Sequence, residues 1–165
     1  MTENTIKDPS VTLRKTEVND LDAFFTFQCD EKAGYMAAFV NEKWQDKEAY
    51  LAKWRLLLAD ETIKIRTILV DNKVAGNVSI WLLMGEPQIA YGLGKEFWNK
   101  GIITRAVQQF LTIFPERPLF GRAAFDNIAS IKVLTKCGFK KINEETTYAH
   151  ARGKEITEVV YVLEV

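Results

Sequence analysis

Apolar residues along this chain recur with two periods, which divide it into strands and helices. Alternation of apolar and polar residues is typical of strands, and a spacing of three to four is typical of helices. Alternation predicts strands at residues 11–16, 64–70, 73–81, 88–93, 119–125, 139–148 and 156–163. Helical spacing follows residues 20, 46, 101 and 129. Because strands and helices interleave, we expect a mixed α/β sheet with helices on both faces.

Turn-forming and capping residues mark where these elements end. The predicted turns are Asp71-Asn72, Gly85–Pro87 and Ala151–Gly153. We expect Asn19 or Asp20 to cap the first helix, Asp46 to cap the second, and Gly34 to interrupt the segment between them. In the helix after residue 101, the spacing predicts an inward face of Ile103, Val107, Phe110 and Leu111.

Length and composition indicate one ordered domain. The chain has 165 residues, of which 47% are hydrophobic and 12% are aromatic, enough to bury a core. The first ten residues are polar and include acids, which is unlike a secretory signal. We therefore expect a flexible N-terminal segment at residues 1–10 and a single domain over residues 11–165.

Charge and hydropathy argue against several classes of function. Twenty-two basic and 22 acidic residues cancel, so the chain lacks the basic footprint of a nucleic-acid-binding protein. No apolar run approaches the roughly 18 residues of a transmembrane helix. Cys29 and Cys137 are expected to be free thiols of a cytoplasmic protein, and with the single histidine, His150, they do not form a zinc site. We therefore expect no nucleic-acid partner, no membrane partner and no metal.

One strand-loop-helix segment carries the strongest sign of a ligand. Residues 91–101 lead from a short apolar strand through a loop into a helix. Loop amides and helix N-termini bind anions, and Gly101 would let the backbone approach a phosphate without a Cβ in the way. Lys100 and Arg105 add positive charge nearby. The alternative is an ordinary strand-to-helix turn in which Gly101 only permits the bend.

Two nucleotide-binding motifs fail in this loop. A Walker A loop requires Gly, four residues and then Gly-Lys-Ser/Thr, and the chain has no such string. A dinucleotide fingerprint requires Gly-x-Gly-x-x-Gly, but Gly92-Leu-Gly94 is followed by Phe97 at the third glycine position. A nucleotide-binding protein is therefore a weak alternative.

A second segment places polar side chains at the start of a helix. Asn127 follows the strand 119–125, and Ser130 opens a helix that stops at Gly138. Asn and Ser are common helix caps, so capping alone could explain both residues. What makes them more informative is that they follow the anion-binding loop in the chain.

Together, the two segments resemble the acyl-CoA-binding core of the GNAT N-acetyltransferases, and in detail the RimJ/RimL-type ribosomal-protein alanine acetyltransferases. That subgroup often has Tyr-Trp-Gly-Lys-Gly-x-Ala-Thr-Glu-Ala, where this chain has Phe97-Trp-Asn-Lys-Gly-Ile-Ile-Thr-Arg-Ala106. Asn99 replaces a glycine, which Asn tolerates because it enters left-handed conformations readily. Ile103 replaces a small residue that would crowd a diphosphate less. The second motif of the subgroup is matched by Asn127, Ser130, Leu134, Lys136, Gly138 and Phe139.

The resemblance implies a GNAT-like fold with a twisted, mostly antiparallel sheet of about seven strands. It also implies acetyl-CoA as a co-substrate, an amine as the acceptor, and a backbone amide near Leu93 that contacts the acyl oxygen. We expect a monomer or a homodimer. The residues that the resemblance places against acetyl-CoA are Leu93, Trp98, Asn99, Lys100, Gly101, Ile102, Ile103, Thr104, Asn127, Ser130 and Lys136.

The catalytic groups differ from those of many relatives. Such enzymes transfer the acetyl group directly to a neutral amine, and many protonate the departing thiolate with a tyrosine where this chain has Leu134. We expect Ser130 to donate a hydrogen bond to the sulfur instead. Gln88 stands where relatives often carry a glutamate base. Glu86 or Glu31 is therefore expected to accept the amine proton through water, unless positioning alone suffices.

The acceptor end would be shaped by the first two helices and the final hairpin. A cluster of aromatic residues and a methionine lies there, formed by Tyr35, Met36, Phe39 and Trp44. Such clusters are core more often than pocket, so both interpretations stay open. Gln88, Leu134 and Ile103 also favour an alternative function, a catalytically weak CoA-binding sensor or interaction module on the same fold.

Overall fold

The structure, a computed structural model, describes residues 8–165, and these residues form seven strands and five α-helices. The strands are β1 (Val11–Lys15), β2 (Lys64–Val70), β3 (Lys73–Leu83), β4 (Glu86–Leu93), β5 (Leu119–Ala124), β6 (Lys140–Ala149) and β7 (Lys154–Leu163). The helices are α1 (Leu21–Gln28), α2 (Glu31–Ala37), α3 (Lys47–Ala59), α4 (Ile102–Ile113) and α5 (Ile128–Lys136).

All seven strands belong to one mixed sheet, and the prediction of a mostly antiparallel sheet is confirmed. The spatial order is β1-β2-β3-β4-β5-β7-β6. Neighbouring strands run antiparallel at every junction except β4–β5, which is parallel. The parallel junction therefore lies in the middle of the sheet, with antiparallel ribbons on both sides.

Helices cover both faces of the sheet, as expected. On one face, α4 and α5 pack against the strands and bury Phe110 and Leu134 together with Ile68 and Val78. On the opposite face, α1 and α3 bury a smaller cluster of Leu21, Phe24 and Tyr50. Because successive strand residues point to opposite faces, one strand can contribute to both layers, as β3 does through Ala75 on one face and Val74 on the other.

One prediction about the first helices is wrong, and another is confirmed only in position. Gly34 does not interrupt a helix but lies inside α2, where a Cβ would come within 2.4 Å of the Trp44 ring. Asp20 occupies the N-cap position of α1, as predicted, but its side chain makes no capping hydrogen bond there. Its carboxylate is 3% exposed and binds the Arg14 guanidinium at 2.7 and 2.8 Å, so burial beside a cation determines its role. The predicted cap of the next helix is confirmed, because Asp46 accepts a hydrogen bond from the Ala49 amide at 3.1 Å.

The hairpin turns follow left-handed backbone positions. Asp71 and Asn72 form the predicted turn, with φ of 48° and 65°. The β3–β4 turn lies one residue earlier than predicted, at Met84 and Gly85, with φ of 50° and 83°. Pro87 consequently belongs to β4, which tolerates it because pairing with β5 begins only at Gln88.

Seven residues of the predicted flexible segment, 1–7, lie outside the described part of the chain. The residues that follow are bonded to the domain. The Pro9 carbonyl accepts a hydrogen bond from the Arg105 guanidinium at 2.8 Å, and the Ser10 amide donates to Asp71 at 2.9 Å. The chain therefore enters β1 from a position held against α4 and the β2–β3 turn.

Candidate functional site

A cleft opens in the middle of the sheet where β4 and β5 part. The two strands pair at only two positions, Gln88 with Phe120 and Ile89 with Gly121. On its other side, β4 stays paired with β3 as far as Leu93. Residues 90–93 therefore present one edge of backbone amides and carbonyls that β5 does not use. An unpaired edge of this kind can bind an extended chain with amide groups of its own.

The loop after β4 has the geometry of an anion-binding turn. Asn99 and Gly101 adopt φ of 62° and 70°, and the left-handed conformation predicted for Asn99 is confirmed. No atom lies within 4 Å of the position that a Cβ on Gly101 would occupy. Gly101 precedes α4 and offers no side chain to cap it, so the first amides of this 12-residue helix are directed at open space.

Side chains around this loop hold its shape. The Trp98 indole donates a hydrogen bond to the Leu93 carbonyl at 2.8 Å, which joins the loop to the end of β4. The Lys100 ammonium donates to the Glu96 carbonyl at 3.2 Å. Arg105, the second nearby cation, is directed at Pro9 instead.

The predicted inward face of α4 is confirmed at Val107 and Phe110, which are both 0% exposed. Ile103 and Leu111, the other two predicted residues, are partly buried and pack against the same core. Ile102 and Ala106, which were not predicted to face inward, are 1% and 0% exposed. The helix starts at Ile102, so this residue and Ala106, one turn later, face the sheet.

The start of α5 lies on the same side of the cleft. The Asn127 carboxamide oxygen accepts a hydrogen bond from the Ser130 amide at 3.2 Å, so Asn127 caps the helix. Its amide nitrogen donates to the Met36 carbonyl, at the end of α2, at 3.1 Å. At the other end of α5, the Cys137 sulfur lies 4.0 Å from the Thr104 carbonyl. This contact places the exposed Lys136 near the first turn of α4.

Ser130 has a partner that the sequence analysis missed. The Tyr91 hydroxyl lies 2.8 Å from the Ser130 hydroxyl and 3.1 Å from the Ser130 carbonyl oxygen. Burial raises the pKa of Tyr91 well above its usual value, although the hydrogen bond with Ser130 opposes this, so the phenol stays neutral. Strand parity could have identified the residue, because Ile89 and Tyr91 share the face that α5 covers.

A cavity of about 1040 Å³, which we call the aromatic cavity, occupies the opposite face. It lies between α1, the α2–α3 loop, α3 and strands β2, β3 and β4. Its aromatic lining includes Phe24, Phe27, Trp44, Tyr50, Trp54 and Trp81. Asn77, Ser79 and Gly92 form its floor, and it reaches Leu93 at the end of β4. The cavity and the cleft therefore meet at the same strand end.

The structure separates the residues of the predicted acceptor cluster. Phe39 and Trp44 line the aromatic cavity, whereas Tyr35 and Met36 do not. Tyr35 stacks beneath Arg152, whose guanidinium carbon lies 4.2 Å from the ring centroid. Met36 contributes the carbonyl that binds Asn127. Phe39 and Trp44, the two cluster residues nearest α3 in the chain, are therefore the ones that belong to the cavity.

Neither predicted carboxylate base lines the aromatic cavity. Glu86 is exposed at the start of β4, and Glu31 is exposed in the first turn of α2. Among the described lining residues, Asp60 is the only carboxylate. Hydrogen bonds from the hydroxyl and the amide of Thr62 lower the pKa of Asp60, which makes it a weak base. Among the described residues that line the cavity, no carboxylate is therefore a strong enough base to accept the amine proton directly.

Gln88, at the position where the resemblance implies a glutamate base in relatives, is 2% exposed. Neither its amide nitrogen nor its carbonyl oxygen has a hydrogen-bond partner among the described protein atoms. Its neighbour across the β3–β4 pair is Trp81, so its side chain lies on the face of the aromatic cavity. A buried amide in this state binds a water molecule or a ligand group when one is within reach.

A buried arginine ties α2 to the start of α5. Arg152, in the β6–β7 turn, has a side chain that is 2% exposed. Its guanidinium donates to both oxygens of Asp126 at 2.8 Å, and its Nε donates to the Tyr35 carbonyl at 2.9 Å. The same pairing lowers the pKa of Asp126. We call this arrangement of Arg152, Asp126, Tyr35 and the Asn127–Met36 bond the Arg152 latch.

The remaining expectations concern thiols, metals and membranes. Cys29 and Cys137 are free, as predicted. Across residues 8–165, no three His, Cys, Asp or Glu side chains converge as metal ligands would. Within that same range, every helix is too short or too polar to cross a lipid bilayer.

Comparisons with known proteins agree with this geometry. The family model described as "Acetyltransferase (GNAT) domain" matches residues 10–140. The chain is 25% identical over 170 residues to an uncharacterised N-acetyltransferase, p20, of Bacillus licheniformis, covering 96% of this chain and 95% of that protein.

Solved structures share the fold at low sequence identity. One is RimL, a ribosomal L7/L12 alpha-N-protein acetyltransferase in complex with coenzyme A, with a TM-score of 0.79 and 19% identity over 94% of each chain. Another is the microcin C7 self-immunity acetyltransferase MccE, in complex with acetyl-CoA and AMP. Its TM-score is 0.78 at 18% identity, over 96% of this chain and 94% of that chain. Because the family model covers most of the sequence and the fold agrees, the chain belongs to the GNAT family of acetyltransferases.

Proposed function

We propose that this protein transfers an acetyl group from acetyl-CoA directly to a primary amine, on a protein N-terminus or a small molecule. When bound, acetyl-CoA would supply a thioester whose carbon–sulfur bond breaks as the carbon–nitrogen bond forms, with one proton leaving the amine and one reaching the thiolate. The observation that carries the proposal is the parted β4–β5 junction, followed by the left-handed turn at Gly101 and the uncapped start of α4.

The residues present fit such a co-substrate. Gly101 and the amides of Ile102, Ile103 and Thr104 would hold the diphosphate, since open space replaces a Cβ there and the helix dipole favours an anion. Trp98, Asn99 and Lys100 would shape this turn. The free edge of β4 up to Leu93 would bind the pantetheine amides, with Asn127 on the opposite wall. Lys136 would add positive charge from the end of α5.

Ser130 and Tyr91 would assist the departing sulfur. If the Tyr91 hydroxyl donates to the Ser130 oxygen, at 2.8 Å, the Ser130 proton is free to point into the cleft. Tyr91 can hold this role across neutral and alkaline pH because burial raises its pKa and keeps the phenol protonated. Ser130 would then be the group that contacts the sulfur, and Tyr91 would position it.

Removal of the amine proton would use water. Asp60 is a weak base, and Gln88 carries no acidic group. Glu86 and Glu31 therefore remain the proposed acceptors of the proton at the end of a water chain. Without such a chain, the site would depend on binding the fraction of amine that is already neutral, which is larger for an α-amine with a pKa of about 8 than for a lysine at about 10.4.

The test of the proposal is a calorimetric titration with acetyl-CoA. We expect saturable binding at micromolar strength in the native protein. Gly101→Glu should abolish this binding, because a carboxylate replaces open space in front of the helix N-terminus. Gly153→Glu is the matched control, since Gly153 has a φ of 67° and equally open surroundings in the β6–β7 turn. Equal affinity in the two variants would show that the loop does not bind the diphosphate.

A sensor or interaction module remains the second candidate. It is favoured by two residues, the buried Gln88 and Leu134, which stand where many relatives carry a base and an acid. Release of free CoA on addition of amines would separate the two candidates. Binding of acetyl-CoA without thiol release for any primary amine would favour the module.

A further inference from the structure

Three of the four tryptophans in this chain line the aromatic cavity: Trp44, Trp54 and Trp81. Together with the other aromatic side chains of the lining they form what we call the tryptophan wall, and Trp54 stands in direct ring contact with its neighbours. The Trp54 ring centroid lies 5.3 Å from that of Phe24 and 5.8 Å from that of Tyr50. Such a wall stabilises a flat apolar body by stacking, and each ring pair contributes beyond the area it buries.

The charged side chains around this wall are mainly cationic. Lys43 and Lys53 line the aromatic cavity, and neither forms an ion pair within residues 8–165. The one carboxylate described in the lining, Asp60, is occupied by two hydrogen bonds from Thr62. A polyamine would need several free carboxylates, and this cavity offers it two ammonium groups instead.

Polar groups lie on the floor of the aromatic cavity. Asn77 and Ser79 lie on its floor, and Gly92 leaves open space beside them. The floor ends at Leu93, where the free edge of β4 begins. A small polar group could therefore reach the cleft while an apolar body rests against the tryptophans.

We propose that the acceptor of this enzyme is a primary amine on an aromatic body that also carries an anionic group. The amine would lie over Asn77 and Ser79, the ring would stack on the tryptophan wall, and the anion would face Lys43 and Lys53. An aromatic amino acid is the simplest molecule with these three parts. This inference rests on the proposed acetyl transfer and names its acceptor class.

The experiment measures binding at the aromatic cavity without turnover. The native protein, saturated with CoA, is titrated with three amines while tryptophan fluorescence is recorded at a wavelength that phenylalanine does not absorb. The probes are phenylalanine (aromatic and acidic), phenethylamine (aromatic only) and spermidine (a polycation). We expect phenylalanine to bind most tightly, phenethylamine more weakly and spermidine weakest. Thiol release with acetyl-CoA should give the same order of kcat/KM.

Lysine variants test the anionic contact. The double variant Lys43→Ala/Lys53→Ala should weaken phenylalanine binding about fivefold and leave phenethylamine binding unchanged. Lys47→Ala is the control, because Lys47 lies on the same helix as Lys53 but pairs with Asp22 at 3.2 Å and is absent from the lining. An equal effect of the double variant on both aromatic probes would overturn the assignment of the two lysines.

Other outcomes separate this inference from the proposed function. Tightest binding of spermidine, or no response to phenylalanine in a protein that binds CoA, would overturn the acceptor class and leave acetyl transfer intact. Loss of calorimetric acetyl-CoA binding in the native protein would instead overturn the proposed function.

Discussion

At the scale of single residues, the Tyr91–Ser130 pair is the most informative contact. The serine was identified from its position at a helix start, but its partner comes from a strand 39 residues earlier. The two hydroxyls lie 2.8 Å apart, and burial raises the pKa of Tyr91 and keeps its phenol protonated. We therefore expect the pair to act as one unit.

Variants of the pair should show this unit in their kinetics. We expect Ser130→Ala to lower kcat about a hundredfold and Tyr91→Phe about tenfold, with the KM for acetyl-CoA nearly unchanged in both. The double variant should be no slower than Ser130→Ala alone, because Tyr91 acts through Ser130. Steady-state thiol release measures all three. If kcat of the double variant fell by the product of the two single-variant losses, the two hydroxyls would act separately.

The same scale explains which site residues the sequence could identify. The left-handed conformation of Asn99 and the open approach at Gly101 are predictable from the sequence because both depend on the residue itself. Tyr91 and the unpartnered Gln88 depend on which face of β4 meets which helix, and this is known only after the sheet is assembled. The local residues were therefore found, and the residue that contacts Ser130 was not.

At the scale of elements, β3 and β4 approach each other closely at a glycine. A Cβ on Gly76 would lie 2.0 Å from the Gly92 carbonyl oxygen, a backbone atom that cannot rotate away. The close approach lies along the part of β4 that no longer pairs with β5. A side chain at position 76 would therefore displace the strand that lines the cleft.

Stability measurements should distinguish the two glycines of this contact. Gly76→Ala should lower the free energy of unfolding by about 2 kcal/mol, because β3 or β4 must move to admit the methyl group. Gly92→Ala should change it little, since no atom lies within 4 Å of its added Cβ. Urea unfolding measures both variants. Equal decreases in the free energy of unfolding for the two variants would show that β3 and β4 can accommodate a methyl group at Gly76 as easily as at Gly92.

Helix boundaries show why element predictions succeed or fail. The Asp46 cap was predicted because its partner, the Ala49 amide, is three residues away. Gly34 was predicted to break a helix because glycine is a poor helix former, yet tertiary packing overrides this preference. The Trp44 ring fills the space that a larger side chain would occupy at Gly34. The Trp44 ring, ten residues later in the chain, therefore explains why a glycine lies inside α2.

At the scale of the whole molecule, two buried tyrosines link stability to pH. Tyr50 is only 8% exposed, and burial raises its pKa as well as the pKa of Tyr91. In the unfolded chain both phenols ionise near pH 10. Above that pH the unfolded state has lost protons that the folded state retains, so alkali favours unfolding.

The pH dependence gives a direct test of this burial. Above about pH 10, the free energy of unfolding should fall by about 1.4 kcal/mol per pH unit for each of the two tyrosines. Tyr50→Phe/Tyr91→Phe should flatten this slope, whereas Tyr148→Phe, which removes a residue that is 49% exposed, is the control. Chemical denaturation at a series of alkaline pH values measures it. If the free energy of unfolding of the double variant fell with pH as steeply as that of the native protein, other groups would cause the loss of stability in alkali.

The global architecture was predictable because each strand carries its own alternation, and a seven-stranded mixed sheet followed from counting these segments. The cavity was not predictable in the same way. Phe39 and Trp44 could have been core or pocket, and the choice depends on how far α3 stands from β3 and β4, which no local pattern encodes.

The Arg152 latch would form a shared wall between the two proposed substrate sites. It holds the end of α2 through Tyr35 and Met36, and the next residue of that helix, Ala37, lines the aromatic cavity. The Asn127 amide that binds Met36 is also the group proposed to meet pantetheine. A ligand that competes for this amide alters the anchoring of α2, and thermodynamic reciprocity then requires the acceptor to alter cofactor affinity by the same factor. If pantetheine binds this amide as proposed, the Asn127–Met36 hydrogen bond would couple the affinities of the two substrates.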